Sequence, residues 1–534
     1  MDQWRRDNLL TTVDNWDIAP KLPNFNTGLV TLTFGTDGDT ALLAGDTHVK
    51  GIVFTGRDFM LVAAPSAPDA KLVIGSAQVI VNAPEDGLAH TNRIDVPLAL
   101  AENEFQVSVT DAKSTLVLPC PVTAPEGVTA TFIRRGEGTF VSDGENLVPG
   151  SRQQINGTWY ATARSLGPAG ATVKVSQDST ATKPIAFYLN GGTFEQTFSI
   201  ARTQPPSYTF GAAAGSTNYL TQAISYEDSY GIEFSFLQDS WTEFQNGFKK
   251  TGSWTGNFTY APRASVVFSG APFAFGDSSL PAKMGNYNTA PTSRARVEFA
   301  AAGGYARTGL AASGGLDVHF TVDAAFSTNT YASPLYLKRY GTAHPTLHLH
   351  GTEQYFGSVQ TSELSGWNFQ NDTTGATVTS DVEGGVLHIR QTVDATWHAF
   401  FTGSASLEKS GDKTLTLAVA SPSTGTLAVS AGTLDFAADV SEAGWTNCSA
   451  VAVSGGTLKV DRKGRLAKGA AYTLTGGTLE IAAGIRLKGS SLTLPDGNGG
   501  TRTETVGVFT AANCPYISGE GELRLQTGTM ILVK

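Results

Sequence analysis

The chain has 534 residues, of which 41% are hydrophobic and only 16% are charged, and its net charge is −10. The hydrophobic fraction suffices for a packed core, which excludes a wholly disordered chain, and no stretch reaches the roughly 18 apolar residues that a membrane span requires. Basic residues never run longer than a pair such as Arg134-Arg135, which excludes nucleic acid and anionic lipid as partners.

Residues 1–203 are predicted to form an N-terminal β-solenoid. Apolar residues alternate with polar ones in short runs, for example at Leu29–Phe34, Lys71–Ile74 and Ala77–Val81. The 59 glycines of the chain favour tight turns and bends between such strands. Strands this short and frequent leave no room for crossover helices, so a doubly wound α/β fold is excluded and an all-β fold is expected.

Residues 204–304 are distinguished by their aromatic side chains, which crowd together between Tyr226 and Tyr287. We expect either wide solenoid rungs or an inserted aromatic-rich β region here. Aromatic side chains of this kind either fill the core of an irregular rung or lie exposed and stack on sugar rings. If they are exposed, the residues predicted to contact a glycan are Trp241, Trp254 and Tyr260.

Two pairs of acidic residues in the same region are formally available for glycoside hydrolysis, namely Glu227 with Asp228 and Asp239 with Glu243. That reaction requires one carboxyl group as acid and a second as base or nucleophile. Acidic pairs also arise by chance in most chains. Neither a Gly-x-Ser-x-Gly elbow nor a phosphate-binding glycine loop is present, and so no catalytic residue is assigned.

Three histidines, His344, His348 and His350, lie within seven residues. On a strand, His348 and His350 would point to the same face, about 7 Å apart, where two imidazoles could approach one ion. The only acidic residue near them in the sequence is Glu353. Exposed strand histidines without a ligand are the more ordinary interpretation, so neither a metal site nor a cofactor is assigned.

Residues 305–534 carry an internal repeat and are predicted to form C-terminal solenoid rungs. A Gly-Thr-Leu triplet followed by alternating residues begins at Gly432, Gly456 and Gly477, at spacings of 24 and 21 residues. A weaker copy begins at Gly385. Because one such rung cannot bury its apolar face alone, stacked neighbours must complete the core. The leading glycines are expected at corners, where positive φ or close backbone approach is needed.

The three cysteines, Cys120, Cys448 and Cys514, are far apart in the sequence and form no Cys-x-x-Cys pair. Neither a zinc site nor a disulfide framework is indicated, and small buried side chains are the expected role. If one disulfide forms, Cys448 with Cys514 is the favoured pair, because both lie in the C-terminal repeats.

Two segments, Ser404–Leu417 and Gly425–Leu434, together resemble the autotransporter-associated β-strand repeat. That pattern runs Leu-x-Lys-x-Gly-x-Gly-x-Leu-x-Leu, followed by a linker and a strand ending in Gly-x-Leu. The present chain departs from it at Asp412-Lys413, where the second glycine would lie, and Thr346–Gly351 begins a more degenerate copy. The resemblance implies a right-handed parallel β-helix exported to the bacterial surface, and it implies no reaction.

The sequence therefore predicts an extracellular or cell-surface β-solenoid with a structural or adhesive role, whose export signal has been trimmed. Extracellular glycans or other surface proteins are its expected partners. A β-helix enzyme acting on polysaccharides and a non-catalytic carbohydrate-binding protein are the alternatives, and the sequence does not decide among them.

Overall fold

The computed structural model describes the following residues: 30–35, 40–55, 58–84, 86–102, 104–111, 113–120, 122–123, 131–135, 139–143, 153–155, 158–165, 172–176, 185–190, 192–196, 199–201, 207–211, 217–220, 224–227, 232–245, 248–251, 256–270, 274–275, 282–286, 293–301, 310–325, 334–359 and 375–525. Every helix or strand element among them is a strand, which confirms the all-β prediction. Within these residues, no helix has the length and apolar character needed to cross a membrane.

The chain divides into two compact units, residues 1–266 and 267–534. The boundaries expected from the sequence, near residues 204 and 304, lie outside the described residues. The strands of the first unit, with the last one crossing the division, are β1 (Thr31–Phe34), β2 (Thr40–Leu43), β3 (Thr47–Phe54), β4 (Met60–Ala63), β5 (Leu72–Val81), β6 (His90–Asp95), β7 (Leu98–Leu100), β8 (Glu104–Val109), β9 (Ser114–Leu118), β10 (Val122–Thr123), β11 (Thr131–Arg135), β12 (Thr139–Asp143), β13 (Gln153–Ile155), β14 (Thr158–Ser165), β15 (Thr172–Ser176), β16 (Ile185–Asn190), β17 (Gly192–Gln196), β18 (Ser199–Ala201), β19 (Ser207–Gly211), β20 (Thr217–Leu220), β21 (Ile224–Glu227), β22 (Ile232–Phe236), β23 (Trp241–Phe244), β24 (Phe248–Thr251), β25 (Gly256–Tyr260) and β26 (Ser265–Phe268).

The first unit is a stack of parallel strands in which the chain returns to each sheet once per turn. One sheet has the order β1-β3-β5-β8-β11-β14-β16-β19-β22-β25, and a second has the order β2-β4-β6-β9-β12-β15-β17-β20-β23. A short third sheet contains β18-β21-β24. Neighbours in these orders are not consecutive in the sequence, which is the coiled arrangement of a parallel β-solenoid and confirms that prediction.

Apolar ladders fill the interior of this unit because paired strands are in register. Leu32 pairs with Ile52, Ile52 with Val79, and Val79 with Val107. All four side chains are fully buried. Since alternate residues of a strand face opposite sides of its sheet, a buried residue in one turn places its partner in the next turn inside as well.

The strands of the second unit are β27 (Ala274–Phe275), β28 (Ala282–Asn286), β29 (Ala295–Phe299), β30 (Leu310–Gly314), β31 (Leu316–Phe320), β32 (Leu335–Lys338), β33 (Thr346–His348), β34 (Glu353–Phe356), β35 (Thr377–Ser380), β36 (Val386–Arg390), β37 (Ala395–Trp397), β38 (Phe400–Gly403), β39 (Ser406–Ser410), β40 (Thr414–Leu417), β41 (Ala420–Ser421), β42 (Thr426–Val429), β43 (Thr433–Phe436), β44 (Gly444–Trp445), β45 (Ala450–Val453), β46 (Thr457–Val460), β47 (Ala470–Leu474), β48 (Thr478–Ile481), β49 (Arg486–Pro495), β50 (Thr501–Glu504), β51 (Gly507–Phe509), β52 (Ile517–Ser518) and β53 (Glu522–Leu525).

The second unit repeats the same principle. Two of its series of paired strands are β28-β30-β32 and β29-β31-β33-β35-β38. Three separate sheets follow along the chain: β34-β36-β39-β42-β45-β47-β49-β53, β37-β40-β43-β46-β48-β52 and the pair β41-β44. These neighbours pair in parallel. Antiparallel pairing in this unit occurs, among the described strands, where β50 meets β49 and β51 meets β53.

The Gly-Thr-Leu repeat corresponds to one turn of the solenoid, as predicted. Leu434 pairs with Leu458, and Leu458 with Leu479, so the three copies stack directly on one another. The weaker copy differs: its strand β36 belongs to another sheet, where Leu387 pairs with Leu407. Both sheets require the same alternation of polar and apolar residues, and this explains why the sequence pattern alone placed the copy in the wrong series.

The glycines that begin these copies lie at tight corners, which confirms their predicted role. Gly432 and Gly456 have φ values of 63° and 67°. A Cβ atom at Gly432 would collide with the carbonyl oxygen of Gly411 and with Nζ of Lys409. Gly477 is held instead by close approach, since a Cβ there would lie 2.7 Å from the carbonyl oxygen of Gly456.

The cysteines of the described residues are free thiols, and no disulfide joins Cys448 to Cys514. Cys448 and Cys514 are buried, as expected of small core side chains, whereas Cys120 is partly exposed. Burial raises the pKa of the Cys448 thiol, which keeps it protonated and unreactive near neutral pH.

Lys409 is a fully buried cation at one corner of the second unit. Its Nζ donates hydrogen bonds to the carbonyl oxygens of Gly411 at 2.7 Å and Ala431 at 2.8 Å. Burial lowers the pKa of Lys409 to about 8. A neutral amine still carries two N–H groups, one for each carbonyl, so losing the proton removes a desolvated charge without breaking either bond.

We therefore predict that Lys409 makes stability rise with pH. Because the pKa of Lys409 is about 8 when folded and about 10.4 when unfolded, the unfolded chain binds more protons between these values, and the free energy of unfolding increases there. We expect the wild type to gain roughly 2 kcal/mol, after allowance for screening, relative to Lys409→Met. Urea unfolding from pH 7 to 10.5 measures this difference. Lys413→Met, at an exposed lysine, should match the wild type, and equal pH slopes in all three proteins would contradict the prediction.

Candidate functional site

Three histidines of the second unit gather on the outward side of adjacent turns. His319 on β31 pairs in register with His348 on β33, and their rings stack with centroids 4.2 Å apart and an interplanar angle of 2°. His350 follows β33 in a turn with φ of 50°. Its ring lies 5.1 Å from that of His319 and 5.8 Å from that of His348. We call His319, His348 and His350 the histidine cluster.

A hydrogen-bonded relay orients two rings of the histidine cluster. His350 Nδ1 lies 2.8 Å from the Asp381 carboxylate, to which it donates. When His350 is neutral, its Nε2 therefore carries a lone pair, which accepts a hydrogen bond from His319 Nδ1 at 2.8 Å. The carboxylate of Asp381 thus sets the tautomer of His350, and His350 in turn sets that of His319.

The third ring, that of His348, is held by Asp317, which lies two residues before His319 on β31. His348 Nε2 donates to Asp317 Oδ1 at 3.3 Å. The Arg294 guanidinium also donates hydrogen bonds to this carboxylate, with Nε 2.8 Å from both oxygens and Nη2 2.6 Å from Oδ1. Burial alone would raise the pKa of Asp317, but the hydrogen bonds from His348 and Arg294 outweigh it and hold the pKa at about 2. Asp317 is therefore a permanent anion beside the cluster.

His319 is the most enclosed member of the histidine cluster, with 9% of its surface exposed. Its burial, together with the neighbouring His348 and Arg296, lowers the pKa of His319 to about 3. The imidazole is therefore neutral near pH 7 and retains one nitrogen lone pair. A neutral imidazole is the form that binds a metal ion.

The ligand nitrogens of the three histidines all lie within 4.8 Å of one another. Three histidines can hold Zn²⁺ and leave a fourth position for water. The histidine cluster is therefore a candidate metal centre within the described part of the chain.

The sequence predicts the proximity of His348 and His350 but not the whole cluster. His344 lies apart from it and packs against Gly375. Glu353, the expected acidic neighbour, lies instead 3.4 Å from His388. The missing member, His319, is brought in by the strand pairing of β31 with β33. One sequence feature could have predicted this pairing: both Asp317-Val318-His319 and Thr346-Leu347-His348 place a polar residue on each side of a central apolar residue, with histidine last.

The predicted glycan-stacking residues fall in three different settings. Trp241, at the start of β23, is 42% exposed. Tyr260 is fully buried and stacks on Phe236 with ring centroids 5.0 Å apart, so it is a core residue that no external sugar can reach. Trp254 lies outside the described residues. Sequence reasoning overlooked Tyr219 on the adjacent strand β20, which is 36% exposed.

Most of the described aromatic residues in this region fill the core. Register pairing stacks Phe210 on Phe236, and Phe236 on Tyr260. A parallel ladder places Phe234 on Phe258, with centroids 4.9 Å apart and an interplanar angle of 8°. The aromatic residues follow the same turn-by-turn alignment as the aliphatic core, and the strands β19, β22 and β25 belong to one continuous series.

Of the acidic residues considered for glycoside hydrolysis, the structure places Asp239 in a surface ion pair. Asp239 is exposed, and Arg263 Nε and Nη2 donate to its two oxygens at 2.6 and 2.8 Å. The hydrogen bond from Arg263 lowers the pKa of Asp239, which is the opposite of what a general acid requires. Asp228 lies outside the described residues, and Glu227 is described only as the last residue of β21.

Comparison with known proteins assigns no family to this chain. No protein-family model matches it, and the searches of curated proteins and of solved structures each returned no match. Function must therefore be argued from the geometry of the exposed and clustered side chains.

We predict that Asp317 contributes to stability through the enclosed contact with Arg294. Both side chains are less than one-third exposed, and replacing the carboxylate by a neutral amide leaves a partly buried guanidinium without its counter-charge, although its hydrogen bonds to His344 and Thr346 remain. Asp317→Asn should therefore lower the free energy of unfolding by about 2 kcal/mol. Asp239→Asn is the matched control, because it breaks an equally bidentate contact whose partners are more than half exposed. Urea unfolding compares the two, and equal losses would refute the dependence on burial.

Proposed function

We propose that this protein is an extracellular structural or adhesive β-solenoid that contacts glycans through an aromatic patch on its first unit. The patch consists of Trp241, Tyr219 and Glu243. The observation that carries the proposal is the exposure of two large aromatic rings on neighbouring strands of one sheet face.

Strand register supports the arrangement of the patch. Trp241 pairs with Thr217, and Glu243 pairs with Tyr219, on the parallel strands β23 and β20. The two aromatic residues are therefore diagonal neighbours, with Cα atoms roughly 8 Å apart. Two rings offset in this way offer apolar faces to a sugar, while the partly exposed carboxylate of Glu243 accepts hydrogen bonds from hydroxyl groups.

The core of the unit does not require these two rings. On β20 and β23, Leu220 and Phe244 point inward and are buried, whereas Tyr219 and Trp241 belong to the opposite, outward phase. Exposed aromatic residues at interaction surfaces are typical of recognition, because they supply large contact area with few rotatable bonds. The patch is therefore interpreted as a binding surface.

The resemblance to autotransporter-associated repeats supports the proposed habitat. The two segments that carry the resemblance form successive turns, because β39 and β40 of the first pair with β42 and β43 of the second. A low charge content and alternating Thr-rich strands are consistent with a surface-displayed module. The proposed partners are extracellular glycans, held without turnover.

The test is a glycan panel with wild type beside Trp241→Ala, Tyr219→Ala and the double variant. We expect retention of at least one glycan by the wild type without release of reducing ends. Each substitution should weaken binding roughly fivefold, because an aromatic contact contributes about 1 kcal/mol.

Leu88→Ala is the control, since Leu88 is 61% exposed and its removal also deletes an exposed apolar side chain. Circular dichroism verifies that every variant retains its β-structure. Products from the wild type would make the protein an enzyme and overturn the proposal. Unchanged affinity in the double variant would also overturn it, because binding would then lie elsewhere.

A further inference from the structure

We propose that the histidine cluster of the second unit is a binding site for a divalent transition-metal ion, of which Zn²⁺ is the representative. The ion would be held by His319, His348 and His350, with a water molecule in the remaining position. The site is independent of the aromatic patch and of any glycan.

The distances within the cluster place the ligand atoms close to what coordination requires. His319 Nδ1 and His350 Nε2 are 2.8 Å apart, and two nitrogens bound to one zinc ion at about 2.0 Å are separated by slightly more than 3 Å. The ion would therefore replace the hydrogen bond that now joins these atoms. His319 would then carry its proton on Nε2.

The carboxylates that surround the cluster provide the outer support that metal-binding histidines normally have. A histidine ligand typically donates its second ring N–H to a carboxylate, which fixes the ring and strengthens the other nitrogen as a ligand. Asp381 accepts from His350 Nδ1 at 2.8 Å, and Asp317 accepts from His348 Nε2 at 3.3 Å. Nitrogens His350 Nε2 and His348 Nδ1 remain for the ion.

The charges around the cluster also favour a cation. Asp317, Asp381 and Glu298 lie on the strands or turns that surround it, and Glu298 pairs in register with His319. Two guanidinium groups oppose them, but Arg294 is bound to Asp317 and Arg296 to Glu298 at 2.7 Å. Three carboxylates against two arginines leave a net negative charge before any ion binds.

The class of ion follows from the ligands. Three imidazoles without a thiolate or a chelating carboxylate suit Zn²⁺, Cu²⁺ or Ni²⁺, and they do not suit Ca²⁺ or Mg²⁺, which require oxygen ligands. The nearly parallel rings of His319 and His348 must tilt apart about their Cβ–Cγ bonds to direct both lone pairs at one ion. Because β31, β33 and the following turn each supply a ligand, the bound ion would fasten successive turns together.

Metal titration of the chelator-treated full chain tests the proposal. We expect saturable binding of one Zn²⁺ per chain by calorimetry, and the visible absorption of four-coordinate cobalt when Co²⁺ is used as the probe. His348→Ala and His350→Asn should each weaken Zn²⁺ binding on the order of 100-fold. Asparagine at position 350 tolerates the positive φ of the turn.

Asp381→Asn tests the site without touching a ligand, and it should weaken Zn²⁺ binding about tenfold. Asp381 is 66% exposed, so this variant should fold normally. His398→Ala is the control, because His398 is an exposed histidine of the same unit outside the cluster, and its affinity should equal that of the wild type. Absence of saturable binding in the wild type would overturn the proposal, as would wild-type affinity in both His348→Ala and His350→Asn.

Discussion

The in-register pairing of parallel strands from one turn to the next is the interaction on which the rest of the structure depends. It places the same strand position of each turn about 4.8 Å above its predecessor. A side chain therefore always meets its register partner, whether the two are apolar, as Leu434 and Leu458, or polar, as His319 and His348. Core ladders and surface ladders are two results of one backbone geometry.

This constraint also explains which polar groups the interior accepts. Corners bring carbonyl oxygens of successive turns close together, so a buried donor can satisfy several of them at once. Lys409 does so with two carbonyls, and Gln391 Nε2 donates to Val359 and Val393 while its Oε1 accepts from the Val359 amide. Such donors link neighbouring turns and restrict the corners to one arrangement.

Much of the fold was predictable from the sequence, because the period-two alternation and the Gly-Thr-Leu spacing are local signals. The same alternation could have predicted that Tyr260 is buried whereas Trp241 is exposed, since Tyr260 lies two residues after the buried Phe258 on β25 and therefore faces the same side of the sheet. The histidine cluster was only half predictable. Its third member, His319, lies 29 residues from His348 in the sequence, and only the strand register, which depends on the length of each corner, brings the two together.

Distances along one column of register partners test the central claim most directly. Glu408 pairs with Ala428, Ala428 with Ala452, Ala452 with Thr473 and Thr473 with Thr493. Nitroxide labels at Glu408 and, in turn, at Ala452, Thr473 and Thr493 should give electron spin–spin distances of about 10, 14 and 19 Å, one strand spacing more for each added turn. Distances that do not increase by about 5 Å per turn would contradict in-register stacking and the account built on it.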